Sequence, residues 1–284
     1  MSSPHSSSAH HTAVPHASHH HDGSIADLLD LDAAVLHEYL SEITGWLQDL
    51  ASALPVQRVI DLGAGTGTAA LAKRFPSSEI VAVDASEEML GRVRARALVD
   101  GHSDRVTTVQ LDLEEPWPEL GSFEIAWASA SLHELTDPDA AFGRVFDVMS
   151  PGALFAVVEM DGPPRFLGND VGDGLESRIH DALRTARTGS DDHPDWTHYL
   201  ERAGFTLIER RSFSIDMKIE GGSRGSDYAQ IYLRRIHPVV APHLSADDRA
   251  LFDALVADTG ASSLRHRDDL QLRAGRTAWV AQRS

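Results

Sequence analysis

The stretch V-I-D-L-G-A-G-T-G, residues Val59 to Gly67, decides how the rest of the chain is read. β-prone residues lead into the acid Asp61, and glycines then recur at every second position, Gly63, Gly65 and Gly67. The pattern is that of a buried strand, a tight turn and a helix start. Glycines in such a turn let the backbone approach a ligand closely, and the helix N-terminus adds N–H donors. The spacing separates it from a dinucleotide fingerprint. G-x-G-x-x-G would need glycines at 63, 65 and 68. Position 68 is Thr68, and the third glycine comes one residue early. That argues against NAD.

A nucleotide-binding unit calls for a second strand that ends in an acid about twenty residues past the loop, where a carboxylate accepts ribose hydroxyls. The chain supplies E-I-V-A-V-D, with Asp84 21 residues after Gly63. Ser86 is an N-cap candidate for the next helix, with Glu87 and Glu88 in its first turn. The plainer alternative makes Asp84 a turn or cap residue itself. The next apolar run, R-V-T-T-V-Q-L-D-L, carries Asp112 near its end. Asp112 is either a further ligand contact or a loop acid.

Working outward, the coarse strands are 57–62, 79–84, 105–111, 123–129 and 152–159, with helices starting near Thr66, Ser86 and Pro138. Strand and helix alternate, as a parallel doubly wound sheet requires. Residues 24–54 read as helical, with Leu36, Tyr39, Leu40, Ile43, Trp46, Leu47 and Leu50 in a stripe at spacings of three and four. His37 and Tyr39 either face a pocket or divide between surface and core. Residues 1–23 hold seven of the sixteen histidines among Ser, Ala and Pro. This tract has little to bury and is expected to be disordered. Its adjacent His19, His20 and His21 could capture Zn2+ or Ni2+; a neutral tail or an expression remnant is the alternative.

Composition narrows the function classes. A chain of 284 residues with 42% hydrophobic content suits one large α/β domain with additions. Without cysteine it has no disulfide, thiolate nucleophile or Cys-ligated metal. The net charge of −18 opposes a broad nucleic-acid surface. Arg92, Arg94 and Arg96 are scattered around one helix and read as a solvated face. No apolar run approaches the length of a membrane span, and the first residues lack an apolar signal core. The expected location is cytoplasmic.

Val59–Gly67 resembles motif I of the class I S-adenosylmethionine (SAM)-dependent methyltransferases, D/E-x-G-x-G-x-G, here Asp61, Gly63, Gly65 and Gly67. R-V-F-D-V-M-S-P-G-A-L-F-A-V-V-E resembles that family's helix, Pro-Gly turn and fifth strand, and Y-L-E-R-A-G-F-T-L-I-E-R-R-S-F-S-I its sixth strand with the helix before it. The likeness covers about 55 to 216, with a final strand at 276–282. It implies a doubly wound, mostly parallel seven-stranded sheet with added N-terminal and lid helices, and SAM as cofactor. The implied SAM contacts are Asp61, Gly63, Ala64, Gly65 and Gly67 in the loop; Asp84, Ala85 and Met89 after the second strand; Asp112 and Leu113 after the third; and Ser129 at the end of the fourth. The implied organisation is a tail (1–23), a helical cap (24–54), a SAM-binding core (55–216), a helical insertion or lid (217–270) and a last core strand (271–284). Many members join the last two strands by a short hairpin. Here roughly sixty residues intervene, too many for a plain loop. They read as helices near 226–240 and 246–258, and are expected to build a lid with the N-terminal helices and residues 161–192.

Methyl transfer from a sulfonium needs mainly a nucleophile positioned at about 3 Å. A base is needed only where that nucleophile must lose a proton. The candidates lie after the fourth strand, on the carboxyl edge where α/β sites open. W-A-S-A-S-L-H-E-L-T-D-P resembles the family's A-S-x-x-L-H-H-L-x-D, with Glu134 in place of the second His. His133 is the candidate base, against a structural hydrogen bond at a loop start; Glu159 and Asp161 face the same edge and could bind substrate or a metal. His193, His198 and Glu201 fit a helical metal motif poorly. The expectation is a SAM-dependent methyltransferase acting at O or N of a small molecule, without a nucleic-acid, membrane or metal partner. The alternative is a non-catalytic module that binds SAM or another adenine nucleotide.

Overall fold

The computed structural model describes residues 23–65, 67–186 and 194–284. The His-rich tail, Thr66 and His193 lie outside the described residues. Two helices come first, α1 (Gly23–Val35) and α2 (His37–Leu50). Then follow β1 (Arg58–Leu62), α3 (Thr68–Arg74), β2 (Glu79–Asp84), α4 (Glu87–Val99), β3 (Val106–Gln110), β4 (Phe123–Ser129), α5 (Pro138–Val148) and β5 (Met149–Met160). The second half holds α6 (Leu175–Ala186), α7 (Thr197–Arg202), β6 (Phe205–Ile219), α8 (Arg224–Val240), α9 (Ala246–Val256) and β7 (Leu270–Arg283).

One seven-stranded sheet has the order β3-β2-β1-β4-β5-β7-β6, as the doubly wound reading requires. Strands β1 to β5 run parallel, and β7 lies antiparallel between β5 and β6. Leu62 pairs with Val83 and with Ala128, so β1, β2 and β4 end level and open one carboxyl edge. The central strands are buried on both faces, which is why they read as near-continuous apolar runs. Val59, Ile80 and Trp127 face α2, α3 and α4, while Ile60, Val83 and Phe155 face α5 and α7.

The 24–54 segment breaks at Leu36 into two helices. The expected Pro-Gly break before the fifth strand falls inside β5. There Gly152 has φ +80° and the β4–β5 register shifts between Phe123 and Ile125, so the turn residues make a bulge rather than end the strand. The helix after the glycine loop begins at Thr68, two residues past the expected start.

The largest difference is in the last hairpin. β6 runs to Ile219 and β7 starts at Leu270, both longer than the pattern suggested. Beyond the sheet they still pair with each other, from Ser214↔Gly275 to Ile219↔Leu270. Their inward residues Ile215, Ile219, Leu270 and Leu272 are buried in a third apolar cluster, with α1, α6, α8 and α9. That cluster repays the extension: the insertion between the strands needs an apolar face, and the hairpin supplies it. Helix α6 has a plain 3–4 stripe of buried residues, Leu175, Ile179, Ala182 and Leu183. Among the described residues no helix is long and apolar enough to cross a membrane.

Candidate functional site

The carboxyl edge of β1 turns through Gly63 at φ +64°. A Cβ built on Gly63 would lie 2.4 Å from the Ser131 Cβ, so no side chain fits there without displacing the turn after β4. The Ser131 hydroxyl donates to the Leu62 carbonyl at 2.9 Å and locks the two turns together. Gly65 has φ +34°, with only the Gly63 carbonyl and the Met89 terminal methyl close to a hypothetical Cβ, at 3.8 and 3.9 Å. At Gly67 such a Cβ would meet nothing within 4 Å. The loop is therefore clamped at its first glycine and open at the next two, as a cradle for a ligand must be. Ala64 is buried, and its N–H donates to the Val83 carbonyl at 2.9 Å, which seats the cradle over β2.

Two acids lie beneath it. Asp61 is buried and accepts from the Thr68 hydroxyl at 2.7 Å. Burial raises its carboxyl from 3.8 to about 7; the Thr68 hydrogen bond opposes that rise and the nearby Asp84 charge adds to it. Asp84, also buried, accepts from the Ser86 N–H at 2.7 Å and from the Gly65 N–H at 3.4 Å. It is thus both a turn acid and a neighbour of the glycine loop. Ala85 is exposed and Met89 buried. Asp112 is exposed at the end of β3 and accepts from the Glu114 N–H at 2.9 Å, with Leu113 buried beside it. Leu111 N–H donates to the Asp84 carbonyl at 3.0 Å, so the loops after β2 and β3 are adjoined.

The Asp61 geometry sets a pH dependence. The unfolded chain releases this proton near 3.8, whereas the folded chain keeps it to about 7. Between those values the folded state binds more protons, so stability falls as pH rises and levels off above about 7. The slope is up to roughly 1.4 kcal/mol per pH unit. The Asp61→Asn variant keeps an oxygen for Thr68 and lacks the titration. Its melting temperature should gain on the wild type from pH 4 to 7; an unchanging difference across that range would show Asp61 charged throughout.

Ser129 ends β4, half-buried, and Ala130 follows with φ +53°, its N–H donating to the Val158 carbonyl at 2.9 Å. That turn delivers Leu132 and His133 to Glu159, which is 4% exposed near the end of β5. One Glu159 oxygen accepts from the Leu132 N–H at 3.0 Å, and the other lies 3.0 Å from His133 Nδ1. The His133 side chain keeps 28% exposure. The candidate base is therefore held by a buried carboxylate and still reaches solvent. Asp161, one turn further on and exposed, accepts from the Thr277 hydroxyl at 2.6 Å.

Four polar residues escaped the sequence reading: Asp32, Tyr228, Arg276 and Thr277. Arg276 opens the stretch read as the last strand, 276–282, and as one of three arginines in β7 it carried no signal of its own. Arg92 is partly exposed but ion-paired. It reaches from α4 to Asp27 at 2.9 Å and to Asp30, fastening α1 over the SAM-side helix. His198 and Glu201 are exposed, and among the described residues no group of three His, Asp or Glu is arranged to hold a metal ion.

The residues fit SAM. The loop is open at Gly65 and Gly67, and Asp84 brings a buried carboxylate to its rim. Comparison with known proteins points the same way. A family model described as a methyltransferase domain matches residues 59–152. The demethylmenaquinone methyltransferase of Clavibacter sepedonicus is 32% identical over 172 residues, covering 56% of this chain and 69% of that protein. The trans-aconitate 2-methyltransferase of Variovorax paradoxus is 30% identical over 138 residues, covering 46% and 50%. Across several of these curated relatives the match spans about half of their length, 50%, 41% and 53% in three cases. A geranyl diphosphate methyltransferase solved with SAM shares the fold at TM-score 0.51 and 15% identity, covering 94% of this chain and 93% of that one. Together with motif I, the strand order and the glycine cradle, these likenesses establish that the chain belongs to the class I SAM-dependent methyltransferases.

Proposed function

We propose that the chain transfers the SAM methyl group to an oxygen or nitrogen atom of a small-molecule acceptor. One observation carries the reading: His133 is held against buried Glu159 at the same sheet edge as the glycine cradle. SAM supplies an electrophilic methyl on a good leaving group. Asp61, Gly63, Ala64, Gly65 and Gly67 would hold its amino-acid end, Asp84 its ribose beside Ala85 and Met89, Asp112 and Leu113 its base, with Ser129 closing the β4 side.

The protein's own part is positioning and one proton. When His133 donates its Nδ1 proton to Glu159, Nε2 becomes the basic nitrogen. That nitrogen would take the proton of an acceptor hydroxyl as its oxygen bonds the methyl, or of an ammonium before its freed lone pair does so, while the S–CH3 bond breaks and S-adenosylhomocysteine leaves. Glu159 fixes the tautomer and the ring plane, and also accepts the Leu132 N–H, so backbone and side chain hold the base together. Small acceptors are consistent with the relatives, whose names give trans-aconitate and demethylmenaquinone. A net charge of −18 speaks against nucleic-acid acceptors.

The test is turnover of SAM to S-adenosylhomocysteine against a library of small hydroxyl and amine acceptors. S-adenosylhomocysteine should also raise the melting temperature, and NAD at equal concentration should not, because a ligand specific for the native state stabilises it. Binding of SAM with no turnover on any acceptor or cell extract would leave a SAM-binding module. Stabilisation by NAD alone would overturn the cofactor assignment.

A further inference from the structure

Beyond the glycine cradle, a second polar cluster lies between α1, α2, α8 and the ends of β5 and β7. Arg276 leaves β7 with 6% side-chain exposure. Its guanidinium has one hydrogen bond, to the Gly275 carbonyl at 3.3 Å, and one distant ion pair, to Asp32 at 3.9 Å. Tyr39 projects from α2, and its buried hydroxyl has no hydrogen-bond partner. The charges acting on that hydroxyl are Arg276, Asp32, Asp161 and Glu159. Burial above all holds the phenol above its ordinary range, so it stays a hydrogen-bond donor at any working pH.

Both oxygens of Glu159 and one oxygen each of Asp32 and Asp161 are served by other donors. Asp32 accepts from the Tyr228 hydroxyl at 2.7 Å, Asp161 from Thr277, and Glu159 from Leu132 and His133. What remains is a surplus of donors, the Tyr39 O–H and most of the Arg276 N–H groups. The Tyr39 hydroxyl is a buried donor without an acceptor, which is costly, and Arg276 adds further donors, so the cluster is complementary to a group that brings acceptor oxygen. The sign of that group follows from charge. Three carboxylates and one guanidinium act on the Tyr39 hydroxyl, and of the carboxylates Asp161 is exposed and the Asp32 side chain partly so. An anion would be repelled at entry, and a cation would leave the donors unmatched. Two residues of the cluster belong to edge-on aromatic pairs, Tyr39 with Phe213 at 5.9 Å and Tyr228 with Phe166 at 5.6 Å.

From this pairing we infer that Arg276 and Tyr39 form the acceptor-recognition subsite, and that it takes a neutral, carbonyl-bearing aromatic or alicyclic molecule. The inference rests on the methyltransferase reading above and names its substrate class. The carbonyl oxygen would accept from both donors, which places the rest of the molecule toward His133.

Three size-matched probes separate the charge states: acetophenone, benzoate and benzylamine. Their dissociation constants are measured by ligand-observed NMR on the full chain saturated with S-adenosylhomocysteine. Acetophenone should bind more tightly than the other two, and both Arg276→Gln and Tyr39→Phe should weaken it, the former by about tenfold. Tyr39→Phe, which removes only an unpartnered hydroxyl, should also raise the ligand-free melting temperature by about 2–4 °C. That variant keeps the test valid if Arg276→Gln does not fold. Tighter binding of benzoate or benzylamine, no binding of acetophenone, or unchanged affinity in Tyr39→Phe would each overturn the subsite. Calorimetric binding of S-adenosylhomocysteine is followed in parallel. If it is retained while acetophenone fails, the subsite alone is wrong; if it is absent, the methyltransferase reading falls first.

Discussion

His133→Ala should lower the turnover number by about a hundredfold or more while leaving SAM affinity nearly unchanged. The size follows from the ordinary contribution of a general base, about 10²–10⁴-fold. The selectivity follows from position. His133 hydrogen-bonds Glu159 and lies past Ser131, whereas the glycine cradle is closed by Ser131 and Leu62. On the proposed role, loss of the ring would remove the base and leave the Ser131–Leu62 hydrogen bond of the cradle in place, so the effect is expected in kcat rather than in SAM binding. Added imidazole should restore part of the rate, which no purely structural role of the ring would allow. A folded, SAM-binding His133→Ala enzyme that turns over at the wild-type rate would leave catalysis to positioning. The family assignment would stand, and His133 would be a cap on the Glu159 carboxylate.

The parts of the structure visible in the sequence are those set by local chemistry. The strand Arg58–Leu62 and its glycine loop are fixed by β-prone residues and by positions where a Cβ cannot fit, as Gly63 shows against Ser131. Asp84 and Ser86 lie where turn and cap rules put them; Ser86 accepts from the Met89 N–H. Of the insertion helices, α9 follows from its cap Ser245, whereas the cap of α8, Ser223, went unread and that helix begins two residues before the expected 226. What escaped is contact between distant segments. The length of the β6–β7 hairpin depends on the apolar face that α8 and α9 bring to it, and no window on either strand contains that information. Arg92 looked like one of three scattered cations because its partners, Asp27 and Asp30, lie more than sixty residues away. Arg276, Tyr39, Asp32 and Tyr228 come from four elements, and each alone reads as a strand or helix residue. Arg276 is one of three arginines in β7, so its charge alone did not mark it.

Asp84→Ala should weaken SAM by about tenfold or more. A charge-assisted hydrogen bond is worth roughly 1.5–3 kcal/mol, and the ribose offers two hydroxyls to one carboxylate. The substitution also strips the acceptor from the Ser86 and Gly65 N–H groups, at 2.7 and 3.4 Å, so the empty loop should loosen and the melting temperature fall. Asp84→Asn separates the two effects. It keeps a carbonyl oxygen for Ser86 and removes the charge, so it should hold most of the stability and still lose SAM affinity. Removing that charge also relieves Asp61, whose carboxyl is raised in part by Asp84. In both variants the pH window over which stability declines should therefore end below pH 7, as the folded-state titration of Asp61 moves toward its unfolded value. Calorimetry would decide the binding role. Unchanged SAM affinity in a folded Asp84→Ala protein would reduce Asp84 to a turn acid that pins the glycine loop, and the ribose would need another partner on that edge.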